Sequence, residues 1–221
     1  GFQWWKTRIK TQLTQFDLLR IDHFRGLESY WEIPAQATTA RSGQWRLAPG
    51  DALFQALRAE FGALPLVAED LGIITPEVEA LRDTHHLPGM KVLHFAFGGG
   101  ADNPYLPHHH VLNSVVYTGT HDNNTTLGWF QELDESTRSH LFDYLGSGPE
   151  QMPELLIRTA LASVARLAVV PMQDVLSLDG AHRMNRPGIA DGNWGWRFRW
   201  DQVGPEVARH YRHLLNLYGR V

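Results

Sequence analysis

Three groups of carboxylates stand just beyond apolar runs. Asp22 closes "LLRID" (residues 18–22), Glu69 and Asp70 close "LVAED" (66–70), and Asp122 follows "SVVYTGTH" (114–121). Two carboxyl groups that face each other across a bond cleave it by double displacement. One attacks as nucleophile while the other donates and later removes a proton, and sugar acetals are the usual target. A third carboxylate, with an arginine and a histidine such as Arg20 and His121, would hold hydroxyls and stabilise the positive charge that develops at the ring. Acids with histidine also bind divalent metals for hydrolysis. Against that reading, Arg20 lies two residues from Asp22 on the same side of a strand, where its cation would repel a metal ion. Taken singly, each acid also reads as an ordinary cap: Asp22 paired with Arg20 or Arg25, Glu69 or Asp70 at the Leu71–Gly72 turn, Asp122 opening the helix after Asn124.

The elements that must position these acids follow from periodicity. Trp5, Ile9, Leu13 and Phe16 fall on one stripe of a helix that should end near Asp17. The strand "LLRID" comes next. A long aromatic connection (24–49) leads to a helix over 51–61, where Leu53 and Leu57 share a face, and then to the strand "LVAED". Thr75 and Pro76 predict a helix start with a hydroxyl cap and proline in the first turn, and this helix should run to about His85. Strands "KVLHFAF" (from Lys91), "SVVYTG" (from Ser114) and "AVVPMQD" (from Ala168) complete a set of five. Helices are expected over 125–146, 153–166 and a terminal segment carrying Val207, Tyr211, Leu214 and Leu215. Strands that are continuously apolar and separated by helices predict an α/β fold with a parallel sheet covered on both faces. In such folds the carboxyl ends of the strands open on one face, so the acids of three strands would converge there.

Composition sets further bounds. The 221 residues are 43% hydrophobic, enough for one sizeable domain, and no internal repeat or linker is evident. A formal charge of −4 provides no basic face for nucleic acid or anionic lipid. With no cysteine, a disulfide framework and a thiolate metal site are both excluded, and a cytoplasmic location fits. The eight tryptophans are expected to fill core rather than to stack on ligands. The run His108–His110 reads as a solvated loop, because no carboxylate stands at ligand spacing. The chain opens at Gly1 and enters a helical pattern at once, which suggests a piece of a longer protein.

The stretches "RIDHFRGLESYWEIPA", "AEDLGIITPEVEALR", "LPGMKVLHFAF", "VVYTGTHDNNTTLGW" and "RMNRPGIADGNWGWR" together resemble the 4-α-glucanotransferases, or amylomaltases, of glycoside hydrolase family 77. The resemblance implies a retaining enzyme that transfers α-1,4-glucan segments between maltooligosaccharides on a (β/α)₈ barrel, with no cofactor and no metal. Carried over by motif, Asp22 is the nucleophile, Glu69 the acid/base and Asp122 the transition-state stabiliser. Arg20 is similar to the arginine that holds the nucleophile, His121 to a histidine at the cleavage subsite, and Asn193 to a substrate contact. Arg25 has no family role to inherit and is expected to anchor its loop, with Asp70 as one salt-bridge partner. The resemblance covers only the later strands, so residues 1–221 are expected to be the C-terminal part of one catalytic domain, strands four to eight without the N-terminal half of the barrel, and poorly active alone. Alternatives are an α-amylase-type hydrolase and a non-catalytic glucan-binding module. The sequence departs from the family pattern at Gly98–Gly100, where acidic residues are frequent, at Asn124 in place of aspartate, and at Ala48 in place of glycine. These departures bear on substrate affinity more than on reaction type.

Overall fold

The structure is a computed structural model that describes residues 1–146, 148 and 151–221. It divides into two compact units, Gly1–Met90 and Lys91–Val221, and the fold class is α/β.

The first unit runs α1 (Gln3–Leu13), β1 (Leu19–Ile21), β2 (Ser29–Glu32), β3 (Gln44–Leu47), α2 (Gly50–Phe61), β4 (Leu66–Ala68) and α3 (Pro76–Thr84). Strands β1 and β4 pair in parallel, with Arg20 opposite Val67 and Ile21 opposite Ala68. All three residues of β4 are buried, as expected of a strand covered on both faces. Ile9, Leu53, Phe54, Leu57, Leu66 and Val78 share one core, in which Phe24 stacks on Phe54 with centroids 5.7 Å apart.

The structure corrects three expectations for this unit. First, α1 stops at Leu13, and Phe16 lies outside the helix, 53% exposed. The Thr11 and Thr14 hydroxyls bond back to the carbonyls of Thr7 and Thr11, the local competition that weakens a helix end. Second, the connection over 24–49 contains an antiparallel hairpin, β2 with β3, in register Trp31 opposite Trp45. All of β3 is exposed, and its alternation of Gln44, Trp45, Arg46 and Leu47 is only four residues long, too short to mark a strand against the surrounding loop. Gly43 is required because the Trp31 ring covers the space a Cβ would need. Third, the Thr75 hydroxyl does not cap α3. The Glu77 amide, and after it the Thr75 hydroxyl, bond the Glu77 carboxylate and hold that acid below its usual range, while the Thr75 carbonyl accepts from Val78 and Glu79.

The second sheet has the order β5 (Gly89–Val92), β6 (Ser114–Tyr117), β7 (Leu167–Val169), and β6 and β7 run parallel. Its helices are α4 (Thr126–Glu132), α5 (Glu135–Leu145), α6 (Glu154–Ala162), α7 (Met172–Val175) and α8 (Pro205–Leu217). Leu93, Phe97, Val116, Leu141 and Leu156 form its main core, while Ile157, Leu161 and Leu214 pack α6 against α8.

Here too the boundaries shift for local reasons. "KVLHFAF" leaves the sheet at Val92 and continues as a 3₁₀ turn over Leu93–Phe95, whose tight winding buries Leu93 and His94. The strand expected through "AVVPMQD" ends at Val169, because Pro171 has no N–H for a ladder, and Gln173 and Asp174 fall on α7. The helix expected over 125–146 is two, and the second starts where the Asp134 carboxylate caps the Thr137 amide at 2.9 Å. His108 and His109 are exposed, but His110 is 7% exposed and bonds Ser163 Oγ and the Tyr105 carbonyl, so this part of the run is core. Among the described residues Trp5 and Trp129 are partly buried against the two cores, as expected, but Trp4, Trp31, Trp45, Trp194 and Trp200 are exposed, against the expectation of core filling. No helix among them is long and apolar enough to cross a membrane.

Candidate active site

In the first unit the acids emerge from paired strand ends. Beyond the last paired residues, Ile21 and Ala68, the chain reaches Asp22 on one side and Glu69 on the other. The Glu69 amide donates to the Ile21 carbonyl at 3.0 Å, and the Phe24 amide donates to the Glu69 carbonyl at 3.1 Å. Arg20 and Asp22 point the same way by strand alternation, and Arg20 Nη2 meets Asp22 Oδ1 at 2.7 Å. The Asp22 side chain is 78% exposed, so this pair adds little stability and serves to orient the carboxylate.

Two backbone amides hold Glu69. His23 N–H donates to Oε2 at 2.7 Å and Leu71 N–H to Oε1 at 3.0 Å. The first of these depends on a left-handed turn at His23, φ 48°, directly after Asp22. Glu69 also lines a hollow of about 370 Å³ with His23, Arg25, Trp45, Leu71 and Ile73. Asp22 and Arg20 line a different hollow, of about 780 Å³, together with the edge-to-face pair Trp4 and Trp5.

The neighbouring Asp70 has a structural task. Its carboxylate takes Arg82 Nη1 at 2.6 Å and the Met90 amide at 2.7 Å. The pairing of Arg25 with Asp70 is therefore corrected. Arg25 instead donates from Nη1 to the Ile73 carbonyl at 2.6 Å and lies over the Trp45 ring, 4.4 Å from its centroid.

In the second unit Asp122 is gripped on every polar atom. Asn185 Nδ2 donates to Oδ1 at 2.6 Å, His121 Nε2 stands 3.4 Å from Oδ2, and Arg183 Nη2 donates to the Asp122 carbonyl at 2.6 Å. Its own amide donates to Thr120 Oγ1 at 3.3 Å. The His121 ring lies 5.3 Å from that of Trp194, which is itself left-handed at φ 63°. Asn193 is occupied within its loop: Oδ1 accepts from the Arg186 amide and Nδ2 donates to the Ile189 carbonyl at 2.8 Å. Arg183 and Asn185 lie in "RMNRPG", a stretch whose polar residues had no role assigned from sequence.

Beneath the loop that bears Asp122 is a buried polar chain that the sequence reading did not find. Asp174, 1% exposed, accepts from the Thr118 hydroxyl at 2.6 Å and from the hydroxyl and amide of Thr126, each at 2.7 Å. Burial pushes its carboxyl above the usual range, against the pull of the threonine bonds. Because the Thr126 proton points at Asp174, its oxygen accepts from His94 Nε2 at 3.0 Å, which assigns the ring tautomer. His94 stacks on Trp129 at 4.6 Å and presses against Gly119, where a Cβ would sit 2.5 Å from its Cε1. Burial, with the Arg183 charge as a lesser cause, lowers its pKa to about 3, and its Nδ1 has no hydrogen-bond partner among the described residues. Asn124 donates to Glu132 Oε1 at 2.8 Å, a contact that an aspartate at that position would make repulsive.

Among the described residues no group of three or more metal-type side chains is gathered. In the first unit Glu69, held by backbone amides, and Asp22, held by Arg20, stand on adjoining strand ends, a pair suited to acid/base and nucleophilic work; in the second unit Asp122 is a hydrogen-bonded carboxylate beside a histidine.

The comparisons agree with one another. The family model of glycoside hydrolase family 77, described as 4-alpha-glucanotransferase, matches residues 1–202. A 4-alpha-glucanotransferase of Synechocystis is 53% identical over all of this chain and 44% of its own length, and that of Thermus thermophilus is 51% identical over 46% of its length. The rice chloroplastic/amyloplastic relative is 47% identical over 38% of its length. Among solved structures, the amylomaltase of Streptococcus agalactiae in complex with acarbose superposes with a TM-score of 0.93 at 35% identity, over 99% of this chain and 44% of that one. The chain thus spans under half the length of these relatives. By the extent of the family match and of these identities, it belongs to glycoside hydrolase family 77, the 4-alpha-glucanotransferases.

Proposed function

We propose that this chain carries the catalytic residues of a retaining 4-α-glucanotransferase acting on maltooligosaccharides and related glucans. Glu69 protonates the glycosidic oxygen as Asp22 attacks the anomeric carbon, and the donor's leaving segment departs with that proton. A β-glucosyl ester on Asp22 results. The 4-hydroxyl of an acceptor glucan then attacks, Glu69 takes its proton, and a new α-1,4 bond forms with the original configuration. Arg20 holds the nucleophile's carboxylate, Asp122 offsets the positive charge of the ring, and His121 contacts the sugar at the cleavage subsite. Asn193 shapes the loop beside them more directly than it reaches substrate, since both ends of its amide are bonded within that loop.

The observation that carries this reading is the emergence of Asp22 and Glu69 from adjoining parallel strand ends, within a family of that activity. Residues 1–221 are read as strands four to eight of one (β/α)₈ catalytic domain, with β1, β4, β5, β6 and β7 as those strands. No cofactor is needed, and a cytoplasmic setting suits the substrates. Barrel closure leaves no edge, whereas five strands leave two, so full activity is assigned to the closed barrel.

The test is product analysis with maltotriose as the sole sugar. Longer oligomers appearing with glucose support transfer. Glucose and maltose alone indicate the hydrolase, glucan binding without turnover indicates a binding module, and loss of activity to a chelator indicates a metal hydrolase.

A further inference from the structure

The loop that carries His121 and Asp122 is tied at both ends to one buried carboxylate. Thr118, the first residue beyond β6, donates its hydroxyl to Asp174 Oδ2 at 2.6 Å. Thr126, the first residue of α4, donates its hydroxyl to the same oxygen and its amide to Oδ1, each at 2.7 Å. Residues 119–125 lie between these two threonines, so a single side chain closes the base of the loop. His94 braces the same stem. Its amide donates to the Thr118 carbonyl at 3.2 Å, its Nε2 to Thr126 Oγ1 at 3.0 Å, and its ring occupies the space where a Cβ on Gly119 would stand.

The helix α7 that bears Asp174 also supports the other wall around Asp122. Gln173, buried beside Asp174, donates from Nε2 to the His182 carbonyl at 3.3 Å. His182 precedes Arg183, which grips the Asp122 carbonyl, and Asn185 bonds Asp122 Oδ1. The Asp122 side chain is half-exposed, so its direction is set by these contacts and by the stem of its loop rather than by packing. A carboxylate buried against neutral donors is a costly way to fill space. What it adds is acceptor capacity: three donors from the two ends of the loop converge on two oxygens, which the single oxygen of an amide side chain does not match.

We propose that Asp174 is a positioning residue for the reaction: by fixing Thr118 and Thr126 it holds the Asp122 carboxylate where charge develops on the sugar ring. The proposal rests on the reading of Asp122 as the transition-state stabiliser. Such stabilisation requires the charge to be in place before the transition state forms, and a misplacement of about 1 Å costs roughly 10²-fold in rate.

The test is a double-mutant cycle in the complete enzyme, read by glucose release from maltotriose. Asp174→Asn keeps the volume and an acceptor for the Thr126 amide but turns an NH₂ toward the two hydroxyls. It should lower kcat and kcat/KM together, by roughly 10- to 100-fold. In an Asp122→Asn background the same substitution should cost less than about threefold, because the charge it positions is already gone. Thr118→Val should show the same pattern at smaller size, and Thr118→Ser should recover most of the loss. Urea titration establishes that each variant is folded under assay conditions, and if Asp174→Asn does not fold, the Thr118 variants carry the cycle. An unchanged kcat, or an equal loss with and without the Asp122 carboxylate, would overturn the proposal. An Asp122→Asn enzyme that by itself keeps more than about a tenth of wild-type kcat would refute the reading of Asp122, and the proposal with it.

Discussion

Asp22 and Glu69 are joined through the backbone that bears them: Ile21, just before Asp22, accepts the Glu69 amide at 3.0 Å, and His23, just after it, donates to the Glu69 carboxylate at 2.7 Å. The acid/base is thus held by the segment that carries the nucleophile. Changes at His23 are transmitted to Glu69 without touching either acid.

This arrangement makes Glu69 the residue whose loss should be most severe in the protonation step. Glu69→Gln keeps the shape and the accepted amide bonds at one oxygen but cannot exchange a proton. We expect kcat on maltotriose to fall by roughly 10² to 10⁴ in the complete enzyme. A fall under tenfold in steady-state assays would remove Glu69 from the role.

Asn185 gives a second test, because its amide donates to Asp122 at 2.6 Å. Asn185→Asp sets a carboxylate against a carboxylate and should lower kcat by roughly 10²-fold. Asn185→Ala, which only removes the donor, should cost less. Equal effects in the two variants would show that Asn185 acts by packing alone.

The buried chain Asp174–Thr126–His94 predicts a stability effect separable from chemistry. Thr126→Val removes both the donor to Asp174 and the acceptor for His94, and should destabilise the fold by about 1–3 kcal/mol in urea titration. Thr126→Ser, which restores the hydroxyl, should recover most of it.

His94 gives this protein a pH signature. Its pKa is about 3 in the folded state against 6.5 when exposed, so the unfolded chain takes up a proton that the folded chain refuses. Stability is therefore complete above pH 6.5 and declines as pH falls from there toward 3, by about 2 kcal/mol between pH 7 and 5. His110, also lowered by burial, adds to the same slope. His94→Gln should flatten the wild-type curve by the His94 share, and parallel curves for the two proteins would contradict the assignment.

Much of this was legible in the sequence. All five apolar runs contain a strand, in two sheets and not one; Leu66–Ala68 is buried on both faces, so its hydrophobicity needs no phase, while β7 is largely exposed. The acids at their ends were legible for the same reason. The hairpin around Trp31 and Trp45 was not, because its β3 is wholly exposed and its apolar alternation, Trp45 and Leu47, spans only four residues. The grip on Asp122 by Arg183 and Asn185 spans more than 60 residues of chain, a distance over which spacing holds no signal. Asp174 was read as part of a strand, and only the turn imposed by Pro171 brings it under Thr118 and Thr126.

The central claim is a covalent bond between sugar and Asp22. The most direct measurement is peptide mass spectrometry of the Glu69→Gln enzyme after reaction with α-glucosyl fluoride, where the intermediate forms without acid assistance and lacks the base that would release it. The account predicts one glucosyl mass on the peptide that contains Asp22. A label on another residue, or fluoride released with no labelled peptide while the anomeric configuration inverts, would contradict it.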